Sequence, residues 1–170
     1  MKRLTSFILI AVLLVTMLIG CKQKPAETEQ VNPQEVITFR MAENQPENYP
    51  TTKADREFAK LVEERTDGRY KIEVYSGAQL GDEKSVIEQV QFGAIDFARV
   101  SISPITEFEK SLNILMLPYI YSDKEHMFKV VDGPIGDEIL KKLEKNCGLV
   151  GLSWFDAGAR SFYNSKKEIK

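Results

Sequence analysis

From residue 35 onward, apolar and polar positions recur with clear periods, and those periods predict the elements. Residues 36–41, VITFRM, are β-branched or apolar except for Thr38 and Arg40, which predicts a first strand. Ala54, Phe58, Leu61, Val62 and Arg65 then recur at helical spacing, with Thr51 or Thr52 as the cap and Asp67-Gly68 as the stop. Lys53, Asp55, Arg56, Glu57, Lys60, Glu63 and Glu64 read as the solvated face of that helix. In residues 70–75 the side chains alternate, with Tyr70, Ile72 and Val74 on one face, as in a half-buried strand. Ser76-Gly77 and Leu80-Gly81 break the strand, Asp82 caps a helix, and Val86, Ile87 and Val90 form its apolar stripe. Gly93 suits the left-handed position after a helix end, and residues 94–100 return to an extended run.

A strand, helix and strand of this size form a crossover between parallel strands. The loops at the carboxyl ends of such strands, here residues 75–80 and 101–105, are where ligands usually sit. Further on, residues 105–111 suggest a short helix. In the apolar run 113–121, Ile114, Leu115 and Leu117 are assigned to the core. Helices are predicted over 123–131 and 134–146, the second with a stripe of Ile135, Ile139, Leu140 and Leu143. Residues 149–155, LVGLSWF, predict another buried strand, and 156–160 a turn. Strands and helices in alternation imply an α/β layer fold.

The first 21 of the 170 residues stand apart. Lys2 and Arg3 precede an apolar run over residues 7–19, broken only by Thr16, and Gly20-Cys21 follows. That is the pattern of a secretory signal, and the run is short for a membrane span. Leu18-Ile19-Gly20-Cys21 also resembles a bacterial lipobox, in which Cys21 becomes the acylated first residue. A plain signal peptide with a chance cysteine and an uncleaved anchor are the competing readings. Residues 22–34 are polar with two prolines and read as a flexible tether. The chain therefore reads as leader 1–21, tether 22–34 and an extracytoplasmic domain from 35, lipid-anchored in the periplasm or on the outer face of the cell membrane.

Charge and side-chain inventory narrow the function. Without Lys2 and Arg3, 21 of the 23 basic residues face 25 acidic ones, a net charge near −4, and no basic stripe with interleaved aromatics suggests nucleic acid. Cys147 is the one cysteine besides Cys21 and reads as a structural thiol. His126 is the only histidine, so no zinc site is legible. No GxSxG or GxxxxGK[ST] occurs, and the carboxylates lie among lysines on helix faces, which argues against an enzyme. No catalytic residue, metal or cofactor is assigned.

A binding role needs less. The loop after the first strand, with Asn44, Asn48 and Tyr49, opens into a helix and is either a ligand loop or an ordinary solvated one. Arg160 follows Trp154-Phe155-Asp156 just past a buried run. It is suited to hold a carboxylate with two parallel hydrogen bonds, or to pair with Asp156.

The run Gly77-Ala78-Gln79-Leu80-Gly81-Asp82-Glu83, then Val86-Ile87-Glu88-Gln89-Val90, then Gly93-Ala94-Ile95-Asp96-Phe97, resembles the DctP-like solute-binding proteins of tripartite ATP-independent periplasmic (TRAP) transporters. The resemblance extends from Ile37 to the end of the chain. It implies a type II-like periplasmic-binding-protein lobe over 35–157, with a mixed, mostly parallel sheet flanked by helices. Residues 158–170 would begin the crossover to a second lobe that is essentially missing. It implies that Asn44, Tyr49, Ser101, Trp154 and Arg160 contact ligand, with Tyr119 and Tyr121 near the cleft. The G-x-R segment of the family matches Gly158-Ala159-Arg160, but its G-L-K-[IL]-R segment is not reached by Lys170, so the chain alone is expected to bind poorly. The implied function is capture of an organic acid, such as a C4-dicarboxylate or sugar acid, and delivery to a membrane permease. The alternative is a lipid-anchored interaction domain for a protein or envelope partner.

Overall fold

The protein is described as a computed structural model covering residues 35–159, 161 and 163–166. Cys21, the leader, the tether and Arg160 lie outside the described residues. The predicted α/β layering is present. Three parallel strands, β1 (Ile37–Glu43), β2 (Tyr70–Tyr75) and β3 (Phe97–Arg99), form a sheet in the order β2-β1-β3. The register runs from Ile37 opposite Tyr70 to Ala42 opposite Tyr75, and from Met41 opposite Phe97 to Glu43 opposite Arg99. Helix α1 (Pro50–Arg65) links β1 to β2, and α2 (Glu83–Gln91) links β2 to β3.

Alternation along β1 divides its side chains between two layers. Phe39 stacks obliquely on Tyr70 and edge-on to Phe97, which meets Phe58 of α1, with ring centroids 5.7–6.0 Å apart. On the opposite face Ala42 packs with Val86 and Ile95, joined by Leu80, Ala98 and Val100. The larger core gathers Ile87, Leu112, Leu115, Val131, Ile139, Leu143 and Leu149. It is built by α2, a short helix α3 (Ile102–Ile105), a 3-10 helix over Lys110–Met116, α4 (Lys124–Val131) and α5 (Pro134–Cys147).

Local signals explain most of these boundaries. Asp82 caps α2 by accepting from the Ser85 N–H at 2.8 Å, and Asp123 caps α4 by accepting from His126 N–H at 2.7 Å. Gly93 and Gly148 take left-handed φ of 72° and 69° after their helices. Cys147 is half-buried against the larger core.

Six expectations change. Ile135, expected in the apolar stripe of α5, is exposed in the first turn of that helix. The cap of α1 is Tyr49, not a threonine, because Pro50 suits the first helical position and starts the helix two or three residues earlier than a threonine cap would. Asp55 leaves the solvated face and is fully buried, while Ala54 is exposed. Ile114 and Leu117 are half exposed, and only Leu115 of that trio enters the core. The helix expected over 105–111 is divided, α3 ending at Ile105 and the 3-10 helix starting at Lys110. Residues 149–155 join no strand ladder among the described residues. Leu149 and Trp154 pack on the core, while Val150 and Leu152 face outward at 65% and 67% exposure. Apolar character specifies burial, but a strand also needs a hydrogen-bonding neighbour along its length, and β3, the edge strand on that side, is only three residues long.

Candidate functional site

The carboxyl ends of β1 and β3 carry charge where the rest of those strands is largely apolar. Met41 and Glu43 share one face of β1, Phe97 and Arg99 the matching face of β3, so the register brings Glu43 opposite Arg99. Arg99 donates Nε to Glu43 Oε2 at 2.8 Å and Nη2 to Oε1, a bidentate pair. Glu43 also accepts from the Gln45 N–H at 2.7 Å and from Thr51 Oγ1 at 3.0 Å. Its residue is 1% exposed, so four donors surround a carboxylate cut off from water. Burial pushes the Glu43 carboxyl upward, but Arg99 and the Gln45 N–H outweigh it and hold it below the usual range. Burial likewise works to lower the Arg99 guanidinium, and Glu43 outweighs that and raises it.

Asp55 of α1 completes the interior of this cluster. Neither of its oxygens has a donor within reach among the described residues. Burial, and then the neighbouring Glu43 carboxylate, push its carboxyl up to about 7. A proton on Asp55 itself supplies the missing donor toward Glu43.

On the outer side of Arg99 stands Glu83, the first residue of α2. Its Oε1 accepts from the Ser101 N–H and from Ser101 Oγ, each at 2.8 Å, and lies 3.5 Å from Arg99 Nη1. A narrow crevice with no room for a water molecule lies here, lined by Asn44, Tyr75, Glu83, Arg99 and Val100 among others. The loop after β2 closes one side of it. Gly77 and Ala78 both adopt left-handed φ, and their N–H groups donate to Gln45 O at 2.8 Å and Glu43 O at 3.1 Å. Ser76 Oγ donates to Glu47 Oε2 at 2.7 Å, and Arg56 pairs with the same carboxylate, so both loops are tied together.

Of the residues singled out from sequence, Asn44 lines the crevice and Ser101 adjoins it through Glu83. Tyr49 sits at the far end of the same loop, where it caps α1. Trp154 packs on the larger core and is not among the residues lining the crevice. Asp156, weighed as a partner for Arg160, pairs with Lys124 at 2.8 Å. Tyr119 is almost fully exposed at φ 58°, and the Tyr121 hydroxyl faces Leu115 O. Glu43 and Arg99 are not among the residues singled out from sequence, Asp55 stands there only on a solvated face, and Glu83 only within the run over residues 77–83. The available signal was a charge of opposite sign at the end of each of two strands, on the face that is otherwise apolar. Among the described residues no group of His, Cys, Asp or Glu is arranged to hold a metal ion. The arrangement offers fixed donors and acceptors around a crevice, which is binding chemistry.

Comparison with known proteins bears on this geometry. The sequence profile of bacterial extracellular solute-binding protein, family 7 (DctP) matches residues 41–170. A solute-binding protein of Chromohalobacter salexigens is 42% identical over 126 residues, which is 74% of this chain and 37% of that protein. A TRAP periplasmic solute binding protein from Xanthobacter autotrophicus PY2, solved with bound β-D-galacturonate, superposes with a TM-score of 0.66 at 42% identity, over 69% of this chain and 39% of its own. Another from Sulfitobacter sp. NAS-14.1, also with bound β-D-galacturonate, gives a TM-score of 0.73 at 35% identity, over 78% and 44%. The chain thus spans about two fifths of the length of these relatives. No helix among the described residues is long and apolar enough to cross a membrane. With the profile matched over residues 41–170 and the parallel sheet shared with solved relatives, the chain belongs to the bacterial extracellular solute-binding proteins of family 7.

Proposed function

We propose that this chain supplies the first lobe of an extracytoplasmic receptor that captures an organic acid and delivers it to a TRAP-type permease. The observation that carries the reading is the crevice at the carboxyl ends of β1 and β3, with Asn44 and Arg99 on its wall. The galacturonate bound by the two solved relatives supports a uronate or related sugar acid as ligand. Receptor function requires no turnover, and the chain is read as a non-enzyme.

Asn44, Tyr49, Ser101, Trp154 and Arg160 are proposed ligand contacts, Arg160 through its affinity for carboxylates. Trp154 is half-buried on the larger core together with Val100, which lines the crevice, and lobe closure is proposed to bring it against ligand. Residues 1–21 are proposed as a lipoprotein leader, with Cys21 acylated and 22–34 as the tether to the membrane. Labelled palmitate should enter the wild-type protein and not Cys21→Ser.

The direct test is thermal melting of the protein encoded by the native gene against a panel of organic acids. A ligand that binds only the folded state raises the melting point. A shift with a uronate, or with another acid, supports the receptor reading. A cooperative melt that no acid shifts would overturn it in favour of a lipid-anchored partner-binding domain.

A further inference from the structure

We propose that the loops after β1 and β2 close on the strand ends by taking up one proton, shared between the buried carboxyls of Asp55 and Glu43, so that this corner of the sheet is a pH-sensitive latch. The latch is a property of the scaffold and needs no ligand.

Asp55 is fully buried, and neither of its oxygens meets a donor among the described residues. A carboxylate there would have neither water nor a hydrogen bond to hold its charge, whereas a neutral carboxyl brings its own donor. The group it faces is Glu43, which Arg99 grips with two nitrogens and keeps ionised. With the proton in place, the interior holds one carboxylate against one guanidinium. Without it, two carboxylates share Arg99 and the interior carries an excess negative charge. Among the described residues the surrounding charges give no relief. Glu83 of α2 lies on the outer side of Arg99, 3.5 Å from Nη1, and adds to the negative side. Glu47 and Arg56 pair with each other at the loop edge, and Lys71 of β2 is held by Glu63 at 3.1 Å. Burial, and then Glu43, push the Asp55 carboxyl up to about 7, so the proton is exchangeable near neutrality.

The residue that meets this proton also fastens both loops. Glu43 Oε1 accepts from the Gln45 N–H at 2.7 Å, and Glu43 O accepts from the Ala78 N–H at 3.1 Å. The Gly77 N–H donates to Gln45 O at 2.8 Å, which ties one loop to the other. Thr51 Oγ1, one helical turn before Asp55, donates to Glu43 Oε2 at 3.0 Å. Peeling the loops from Glu43 therefore admits water to Asp55. Once hydrated, Asp55 returns to the ordinary carboxyl range, about 4, and releases its proton in neutral solution. Opening is thus coupled to proton release. It becomes easier as pH rises from about 4 to 7 and is independent of pH above that. Both loops leave the carboxyl ends of parallel strands, where ligands of such folds sit, so the latch stiffens that edge in weakly acid surroundings.

The test is hydrogen–deuterium exchange of the Gln45, Gly77 and Ala78 amides in the protein encoded by the native gene. Each pH is compared with Asp55→Asn, which keeps the shape of the side chain and cannot titrate. From pH 5 to 7 exchange in the wild type, relative to the variant, should rise at least tenfold and then level off. The intrinsic chemistry of exchange cancels in that ratio. The three amides should also exchange faster than the Leu143 amide in the core of α5, as local opening requires. A constant ratio would mean that the proton leaves only when the whole fold unfolds, and would overturn the inference. Loop amides as slow as that of Leu143 would overturn it too. Should Asp55→Asn fail to fold, as read from its melting curve, the wild type alone decides. Exchange of the three loop amides, relative to the Lys145 and Asn146 amides at the end of α5, should then rise at least tenfold from pH 5 to 7, and an unchanged ratio would refute the latch.

Discussion

Arg99 grips Glu43 across the last rung of the β1–β3 ladder, 56 residues away in sequence, with both partners nearly sealed from water. Removing one charge from such a pair strands the other, at a cost of about 3–5 kcal/mol. Arg99→Ala should therefore lose about that much stability in urea unfolding. Glu43→Leu with Arg99→Met removes both charges, and its loss should fall short of the summed single losses by about 1–3 kcal/mol. An additive cycle would show that the pair contributes no coupling.

Asp55 should give stability an unusual dependence on pH. Its carboxyl is raised to about 7 in the fold by burial and by Glu43. Below about pH 4 folded and unfolded chains both carry the proton, so the group adds no slope. Between about 4 and 7 the unfolded chain releases its proton while the folded one keeps it. Stability then falls as pH rises, by at most about 1.4 kcal/mol per pH unit. Asp55→Asn cannot ionise, and its amide can donate to Glu43. The variant should gain on the wild type from about pH 4 to 7 and level off above that. Parallel unfolding curves for the two proteins would mean that Asp55 does not titrate in that window.

The contrast between Asp82 and Asp55 shows what the chain discloses on its own. Asp82 acts on the Ser85 N–H three residues away, so its role was legible, as were the stripe of α2 and Ile139 and Leu143 of the α5 stripe, though not Ile135. Asp55 was read as solvated because six charged neighbours share its helix. Its burial is decided by where β1 and β3 end, which periodicity within α1 does not report. Glu43 and Arg99 were missed for the same reason, since only the register makes them partners. Asn44 lies on the crevice and Ser101 beside it through Glu83, because a strand end is a position in the fold, whatever its distant contacts. Trp154 followed from an expected strand that no ladder supports among the described residues.

At Gly136 helix α5 closes on the last residue of α4. A Cβ there would lie 1.7 Å from the Val131 carbonyl oxygen, a main-chain atom that cannot swing aside. Gly136→Ala should force α5 away from Val131 and cost at least about 1–3 kcal/mol. At Gly151 the nearest atom is Leu140 Cδ2, 2.3 Å away at the end of a side chain that can rotate. Gly151→Ala should therefore lower the melting temperature less than Gly136→Ala. The reverse order would place the rigid contact elsewhere.

Glu109 ties the start of the 3-10 helix to the end of α5. Asn146 Nδ2 donates to its Oε2 at 2.6 Å, and the Ser111 N–H to its Oε1 at 2.9 Å. These bonds, Asn146 first and Ser111 next, hold the Glu109 carboxyl down at about 2, against a smaller upward push from burial. The sign is opposite to that of Asp55. A depressed carboxyl contributes its full stabilisation above its unfolded value, about 4.3, and loses it as pH falls toward 2. Glu109→Gln keeps one acceptor and removes the titration. It should be less stable than the wild type at pH 7, and the gap should close on acidification from pH 4 to 2, followed by circular dichroism. A gap that stays constant over that range would mean that the hydrogen bonds to Asn146 and Ser111 do not depend on the Glu109 charge.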